Sequence, residues 1–327
     1  MTKFWKTILS GVAAAAVGFM GFTAPAAAAF PERPITLIVP WAAGGGTDAV
    51  ARTVASILER ELGQPVNVVN RIGGSGVVGH QAIAQARPDG YTIGLITLEI
   101  SMMHWVGLTD LTYEGYTPLA LINTDPAAIH VNVDSPYQDL SQLIDAIKAN
   151  PGKLNASGAG QGGGWHLALA GMMRSLDVDP RTITWVPATG AATALTDLAG
   201  GGLDFVSCSL PEADALTRAG RLRTLVYMDS ARSAIAPDVP TMKEAMDSDW
   251  TMGLWRGMVA PKGIPDDIAA TYEAAFKKIY DSAEFQEFMS NRGFGAVWGD
   301  AQEFSAFMEK DNLAIGEILK DIGLAKE

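Results

Sequence analysis

An α/β fold follows from three features of this 327-residue chain. Short apolar runs of strand composition alternate with amphipathic helical stretches. Glycine-rich turns join several of the strands to the helices after them. The first hundred residues run β-α-β-α-β, an order that calls for a parallel sheet with helices on both faces. Such sheets bind ligands beyond the carboxyl ends of their strands, where the glycine turns lie.

Residues 1–29 read as a secretory signal peptide. Lys3 and Lys6 form the positive start, Ile8–Phe22 the apolar core, and Ala27-Ala28-Ala29 the cleavage pattern. The apolar run is short for a membrane anchor, no second span follows, and no Cys follows the Ala cluster to carry a lipid. The mature protein is expected to begin near Phe30 and to work outside the cytoplasm. Its 298 residues suffice for two lobes or for one large α/β domain.

The first unit is the strand Ile35–Val39, then Pro40-Trp41-Ala42-Ala43-Gly44-Gly45-Gly46-Thr47-Asp48, then a helix over 49–62. Val50, Val54, Ile57, Leu58 and Leu62 share one helix face, Thr47 or Asp48 is the expected N-cap, and Gly63 ends the helix. Bare N–H groups at a helix N-terminus suit an anion. An ordinary βα turn explains the loop equally well at this level.

A strand over 66–69 leads to Gly73–Gly79, which contains a literal G-x-G-x-x-G at Gly74, Gly76 and Gly79, with Glu99 at the distance of a ribose-binding acid. A dinucleotide site would open the first βαβ unit after a long buried strand; here Asn70-Arg71-Ile72 intervenes and an earlier βα unit exists. A structural turn, or a wall of the cleft, is the preferred reading. The strand Tyr91–Thr97 follows the turn Pro88-Asp89-Gly90.

Ala120–Val133 is apolar and interrupted by Pro126, and a helix over 136–150 ends at Asn150-Pro151-Gly152. The second glycine turn, Gly158–His166, repeats the strand–turn–helix logic of the first, with a helix over 167–176. A strand over 183–187, a short helix over 193–199 and strands over 203–209 and 222–228 come next. After Met228 the pattern changes: a turn and helix start at Pro237–Thr241, a strand over 254–260, and two amphipathic helices marked by Ile268, Tyr272, Ala275, Phe276 and Ile279, then Phe304, Phe307, Met308 and Leu313.

Charge and chemistry exclude several classes. The formal net charge is −12, and −14 without Lys3 and Lys6. That argues against nucleic acid or an anionic membrane surface as partner. The only cysteine, Cys208, sits in an apolar run and reads as a buried small hydrophobe. Four scattered histidines without C-x-x-C or H-E-x-x-H suggest no metal, and no cofactor is called for. No G-x-S-x-G or Ser/His/Asp arrangement suggests a nucleophilic enzyme.

The ordered series Pro40–Asp48, Asn70–Gly79, Pro88–Thr92, Gly160–Ala168, Leu195–Leu198 with Gly200-Gly201 and Asp204, Pro237–Thr241, Trp255–Gly257 and Pro261-Lys262-Gly263 resembles the periplasmic solute receptors of tripartite tricarboxylate transporters, also called Bug receptors. The resemblance covers essentially everything after residue 29. It implies a two-lobed periplasmic binding protein (type II-like), hinged, with lobe 1 at 30–126 plus 229–327 and lobe 2 at 127–228. It also implies a non-catalytic, monomeric receptor that captures a small organic carboxylate and passes it to the transporter's membrane subunits; a receptor feeding a sensor kinase is the alternative.

By the same resemblance the solute is held by amides around Ala43, Gly44, Gly45 and Gly46 with Asp48 orienting the loop, by Gly160, Gly162, Gly163, His166 and Asp204 from the second lobe, and by Thr97 and Glu99. No Arg or Lys lies in either glycine turn, so a grip through backbone dipoles rather than a cation is expected. Two departures concern the ligand. Gly163-Gly164-Trp165 stands where members carry Ser or Thr, and Ala188-Thr189-Gly190 where they carry Tyr-Lys-Gly. Thr189 is expected to contact the ligand as well, and Trp41 and Trp165 are expected to set that ligand apart, favouring a longer or partly apolar acid.

Overall fold

The computed structural model describes residues 30–321 and 323–326; the expected leader at 1–29 lies outside them. The first unit is β1 (Ile35–Val39) and α1 (Gly46–Leu62), followed by β2 (Val66–Asn70), α2 (Val77–Ala84) and β3 (Thr92–Thr97). Then come β4 (Tyr116–Asn132), α3 (Leu140–Ala149), β5 (Asn155–Ser157), α4 (Gly164–Ser175) and β6 (Thr184–Trp185). The middle of the chain continues with α5 (Ala191–Ala199), β7 (Phe205–Ser209), α6 (Leu210–Arg218), β8 (Leu222–Tyr227) and α7 (Met242–Met246). The chain closes with β9 (Gly253–Pro261), α8 (Asp266–Asp281), α9 (Ala283–Arg292), β10 (Gly295–Gly299) and α10 (Ala301–Asp321).

The strands join in the order β2-β1-β3-β9-β4-β7-β5-β6, with β8 and β10 also on β4. The β1, β2 and β3 pairings are parallel, as the β-α-β-α-β reading requires, whereas β9 enters antiparallel between β3 and β4. The two lobes share β4, which changes partner between Pro126, opposite Gly253 of β9, and Ala127, opposite Ser209 of β7. A proline is tolerated there because it ends one ladder rather than interrupting it. The second crossing is at Met252, whose carbonyl accepts from Ala127 N–H at 2.8 Å. Residues 229–252, allotted by the sequence reading to lobe 1, pack on the second lobe: α7 lies on α3 and β8, and Tyr227 N–H donates to Pro240 O at 2.9 Å.

Lobe 1 is built on a core in which Val50, Val54, Ile57 and Leu58 of α1 meet Leu37 and Leu95 of the sheet and Tyr272 and Phe276 of α8. Fully burying one such side chain stabilises by about 1.5–3 kcal/mol. The larger second core runs from β4, β7 and α4 to the cleft tryptophans. Helix α1 begins at Gly46, three residues before the expected start, with Gly45 at its N-cap and no side-chain cap. Asp48, expected to cap, turns back to accept from Gly44 N–H instead. At the other end Gly63 (φ 69°) closes the helix, its N–H on Glu59 O. Helices α6 and α9 and strand β10 do not figure in the sequence reading, and Leu313 of α10 is 59% exposed rather than core.

Candidate ligand-binding cleft

The carboxyl ends of the strands from both lobes meet in a tight cavity of about 20 Å³, room for no more than a water or two. Lobe 1 supplies Trp41, Ala42 and Gly45 from the first loop and Gly46 and Thr47 from the start of α1. It adds Thr97 and Glu99 from the end of β3, and Leu254 and Arg256 from β9. Lobe 2 supplies Ala159 and Trp165, the first turn of α5 at Gly190, Ala191 and Ala192, and Glu212 of α6. Three helices, α1, α4 and α5, thus begin at its walls. None of them has a side-chain N-cap of its own.

Of the residues expected to bind, the cavity brings together Trp41, Gly45, Gly46, Thr97, Glu99 and Trp165. Asp48 stands behind the loop, 3% exposed, where it orients rather than lines. Its Oδ2 accepts from Gly44 N–H and Arg52 Nε–H, both at 2.9 Å, and its Oδ1 from Asn70 Nδ2–H at 2.9 Å. Burial pushes the Asp48 carboxyl up, but Arg52, Gly44 and Asn70 together outweigh it and hold the group below the usual carboxylate range. Ala43 and Gly44 are the exposed tip of that loop.

Of the second glycine turn only Ala159 and Trp165 line the cavity, and the rest of it stands behind the wall. Gly160 packs on Ser75, whose hydroxyl donates to Gln161 O across the cleft at 3.0 Å. Gly163 is the N-cap of α4. Gly162 N–H donates to His166 Nδ1 at 3.1 Å, and the His166 ring lies tilted against Trp185 with centroids 4.6 Å apart. His166 faces a separate depression with Gln161, Ala170 and Leu324, and burial holds its imidazole neutral, with a pKa of about 4. Thr189 reaches the first loop by its carbonyl, which accepts from Ala42 N–H at 3.4 Å. Asp204 lies in an outer hollow with Asn132 and Tyr137, accepting from Asn155 N–H at 2.7 Å.

The G-x-G-x-x-G has a packing explanation. Gly76 (φ +93°) leaves room for the edge of Trp41, 3.1 Å from where a Cβ would stand. A Cβ on Gly79 would run into Pro40 and come within 2.6 Å of Arg71 O. These glycines let α2 press on the first loop.

A buried hydrogen-bond chain ties the first lobe to the second. His80 Nδ1–H donates to Gly76 O at 2.8 Å, which leaves Nε2 to accept from Thr97 N–H at 3.3 Å. Burial pushes His80 toward its neutral form. The Thr97 hydroxyl accepts from Trp41 Nε1–H at 3.1 Å and donates to Glu99 Oε2. Glu99, 1% exposed, then accepts Gly164 N–H on Oε1 at 2.9 Å, capping α4 from the other lobe.

Two site residues escaped the sequence reading. Arg256 is 1% exposed and contradicts the expectation of a cleft without a cation. Its Nη1 donates to Asn123 and Asp125, its Nε to Thr47 Oγ1 at 2.9 Å, and its Nη2 crowds the bare Cα of Gly46. Trp255–Gly257 was legible as a family match, but nothing local showed that this arginine points into the cleft. Glu212 accepts from Gly46 N–H on Oε1 at 3.1 Å and from Ser209 N–H on Oε2 at 3.4 Å. Burial pushes its carboxyl up, Arg256 opposes that, and Asp125 adds to it. The sequence did carry a sign of it: Ser209-x-x-Glu212 with Pro211 is a capping box opening α6.

Cys208 is fully buried, and burial pushes its thiol well above the ordinary range, so it offers no thiolate. Among the described residues no group of three or more His, Cys, Asp or Glu could hold a metal ion, and no helix is long and apolar enough to cross a membrane.

A family profile described as the tripartite tricarboxylate transporter family receptor matches residues 50–324. The chain belongs to that family. A UPF0065 protein of Bordetella pertussis is 34% identical over 297 residues, covering 90% of this chain and 91% of that protein. The solved periplasmic binding protein BugD superimposes with a TM-score of 0.86 at 28% identity, covering 91% of this chain and 100% of BugD. MatC of Rhodopseudomonas palustris, solved with bound malate, gives 0.81 at 28% identity, covering 89% of this chain and 100% of MatC. The receptor is thus a two-lobed periplasmic solute-binding protein, a class that binds without catalysing.

Proposed function

We propose that this receptor captures a small organic carboxylate between its lobes and delivers it, as a monomer exported by residues 1–29, to the membrane subunits of a tripartite transporter. The observation that carries the reading is the first turn of α5. Gly190, Ala191 and Ala192 open into the cavity with no side-chain cap, and Arg256 lines the same cavity. Orphan N–H groups at the positive end of a helix favour an anion, contributing about 0.3–1 kcal/mol, and Arg256, although paired with Asp125, offsets part of the negative charge of Glu99 and Glu212 in the same cavity. The malate in MatC supports a carboxylate.

Trp41, Trp165 and Leu254 form the apolar walls. The indole N–H of Trp41 is taken by Thr97, so this ring offers the solute a surface rather than a donor. The test is mass spectrometry of the compound released from the purified protein, followed by calorimetry with the identified acid and with malate. Recovery of the acid unchanged separates a receptor from an enzyme. A released compound without a carboxylate, or a nucleotide, would refute the proposal.

A further inference from the structure

Each lobe of this structure lends a carboxylate to the other. Glu212 of α6 crosses to the N-terminus of α1 and accepts Gly46 N–H at 3.1 Å, while Glu99, after β3, crosses to the N-terminus of α4 and accepts Gly164 N–H at 2.9 Å. Both helices exceed two turns, and both lack a cap of their own. The glycines at these positions are what the arrangement needs. A side chain on Gly46 would come within about 3.0 Å of Glu212 and Arg256, and one on Gly164 would strike Leu254 at 2.8 Å.

We propose that Glu212 is a tethered stand-in for the solute: with no solute present Glu212 and Glu99 latch the lobes shut, and a bound acid takes the place of Glu212 at α1 while Glu99 stays in place. The displacement half of this rests on the cleft being a carboxylate site; the latch does not.

The two acids are not equivalent. Glu99 is 1% exposed and fixed on its second oxygen by Thr97, which Trp41 and His80 hold in turn. Glu212 is buried at its carboxyl but keeps some exposed surface, and its second oxygen is held only by Ser209 of its own helix turn at 3.3–3.4 Å. When Glu212 leaves Gly46 it keeps the Ser209 contacts, whereas Glu99 would abandon a buried network. At Gly46 N–H one carboxylate replaces another and that hydrogen bond is kept, while the displaced Glu212 swings to water on its Ser209 contacts and carries its charge there, so the solute competes with an internal ligand at high effective concentration.

The experiment uses the full mature chain without solute, as wild type, E212A and the isosteric E212Q, each checked for folding by circular dichroism. Small-angle scattering is expected to show a compact wild type and a larger radius of gyration for E212A. Hydrogen exchange is expected to show the Gly46 amide at least about tenfold less protected in E212A, with E212Q intermediate. A wild type already expanded, or an E212A no larger than wild type, would overturn the latch. E212Q decides the same points if E212A does not fold. Calorimetry with malate is expected to give affinity on the order of tenfold tighter in E212A, because the competitor is gone. Weaker malate binding by E212A would overturn the displacement and make Glu212 a solute contact. Failure of wild type and variants alike to bind any acid would count against the proposed function, while scattering and exchange would still decide the latch.

Discussion

Replacing Arg256 with Met would test the cation in the cleft, because it removes the charge while keeping a similar apolar stem. Arg256 and Asp125 are 2% and 1% exposed in their side chains and form an ion pair, with Asn123 and Thr47 as further acceptors. Asp125 also accepts from Asn123 and Gly295, at 2.9 and 3.0 Å. In R256M that carboxylate stays buried without a cation, which costs about 3–5 kcal/mol. At about 2 °C per kcal/mol for a chain of this size, thermal unfolding should fall by roughly 6–10 °C. The double variant D125N/R256M removes the stranded charge and should recover most of the loss, giving a coupling of roughly 2–3 kcal/mol in a double-mutant cycle. Calorimetry on the recovered double variant then reads the ligand role alone, and acid binding should remain weakened by tenfold or more, about 1.4 kcal/mol. The reasoning is refuted if R256M melts within 2 °C of wild type, about 1 kcal/mol, or if the double variant binds acid as wild type does.

Three further outcomes are expected. His130 is fully buried, its Nε2–H donates to Cys208 O at 3.3 Å, and burial lowers its pKa to about 4. The unfolded chain takes the proton near pH 6.5 and the folded one resists it, so stability should be intact above pH 6.5 and decline as pH falls toward 4. The ceiling is about 3 kcal/mol, and melting temperatures across that range should fall less steeply in H130Q. G79A should be several-fold worse for stability than G44A: the first collides with Pro40 and Arg71, whereas the second meets no atom and costs only about 1–2 kcal/mol of backbone strain. Equal melting of the two would undo the packing account of α2. W41F removes the donor to Thr97 and should cost about 1 kcal/mol in denaturant unfolding; an unchanged midpoint would show that the Thr97–Glu99 chain does not depend on it.

Local physics accounts for what could be read along the chain. The βα order, the Gly63 helix stop, the apolar face of α1 and the two glycine turns depend on residues a few positions apart, and each stands close to where the pattern put it. Helix α6 was legible in principle, since its Ser209–Glu212 box and Pro211 are local; so was α9, where Ser282 caps by accepting Phe285 N–H at 3.2 Å. Strand β9 was foreseen, but not its antiparallel place between β3 and β4, which depends on a partner over a hundred residues away.

By itself, then, the sequence determined the fold class, the family and the presence of two loops whose N–H groups suit an anion. Only the tertiary structure decided what those N–H groups meet. Gly46 meets a carboxylate 166 residues away, Gly164 one 65 residues away, and the cation Arg256 stands 131 residues from its partner Asp125. Local propensity carries no information about such pairings, because burial and Coulomb energy depend on distance in space and on how much water is excluded. The glycine loops therefore read as an empty cradle in sequence, and in the closed protein they are occupied by its own acids.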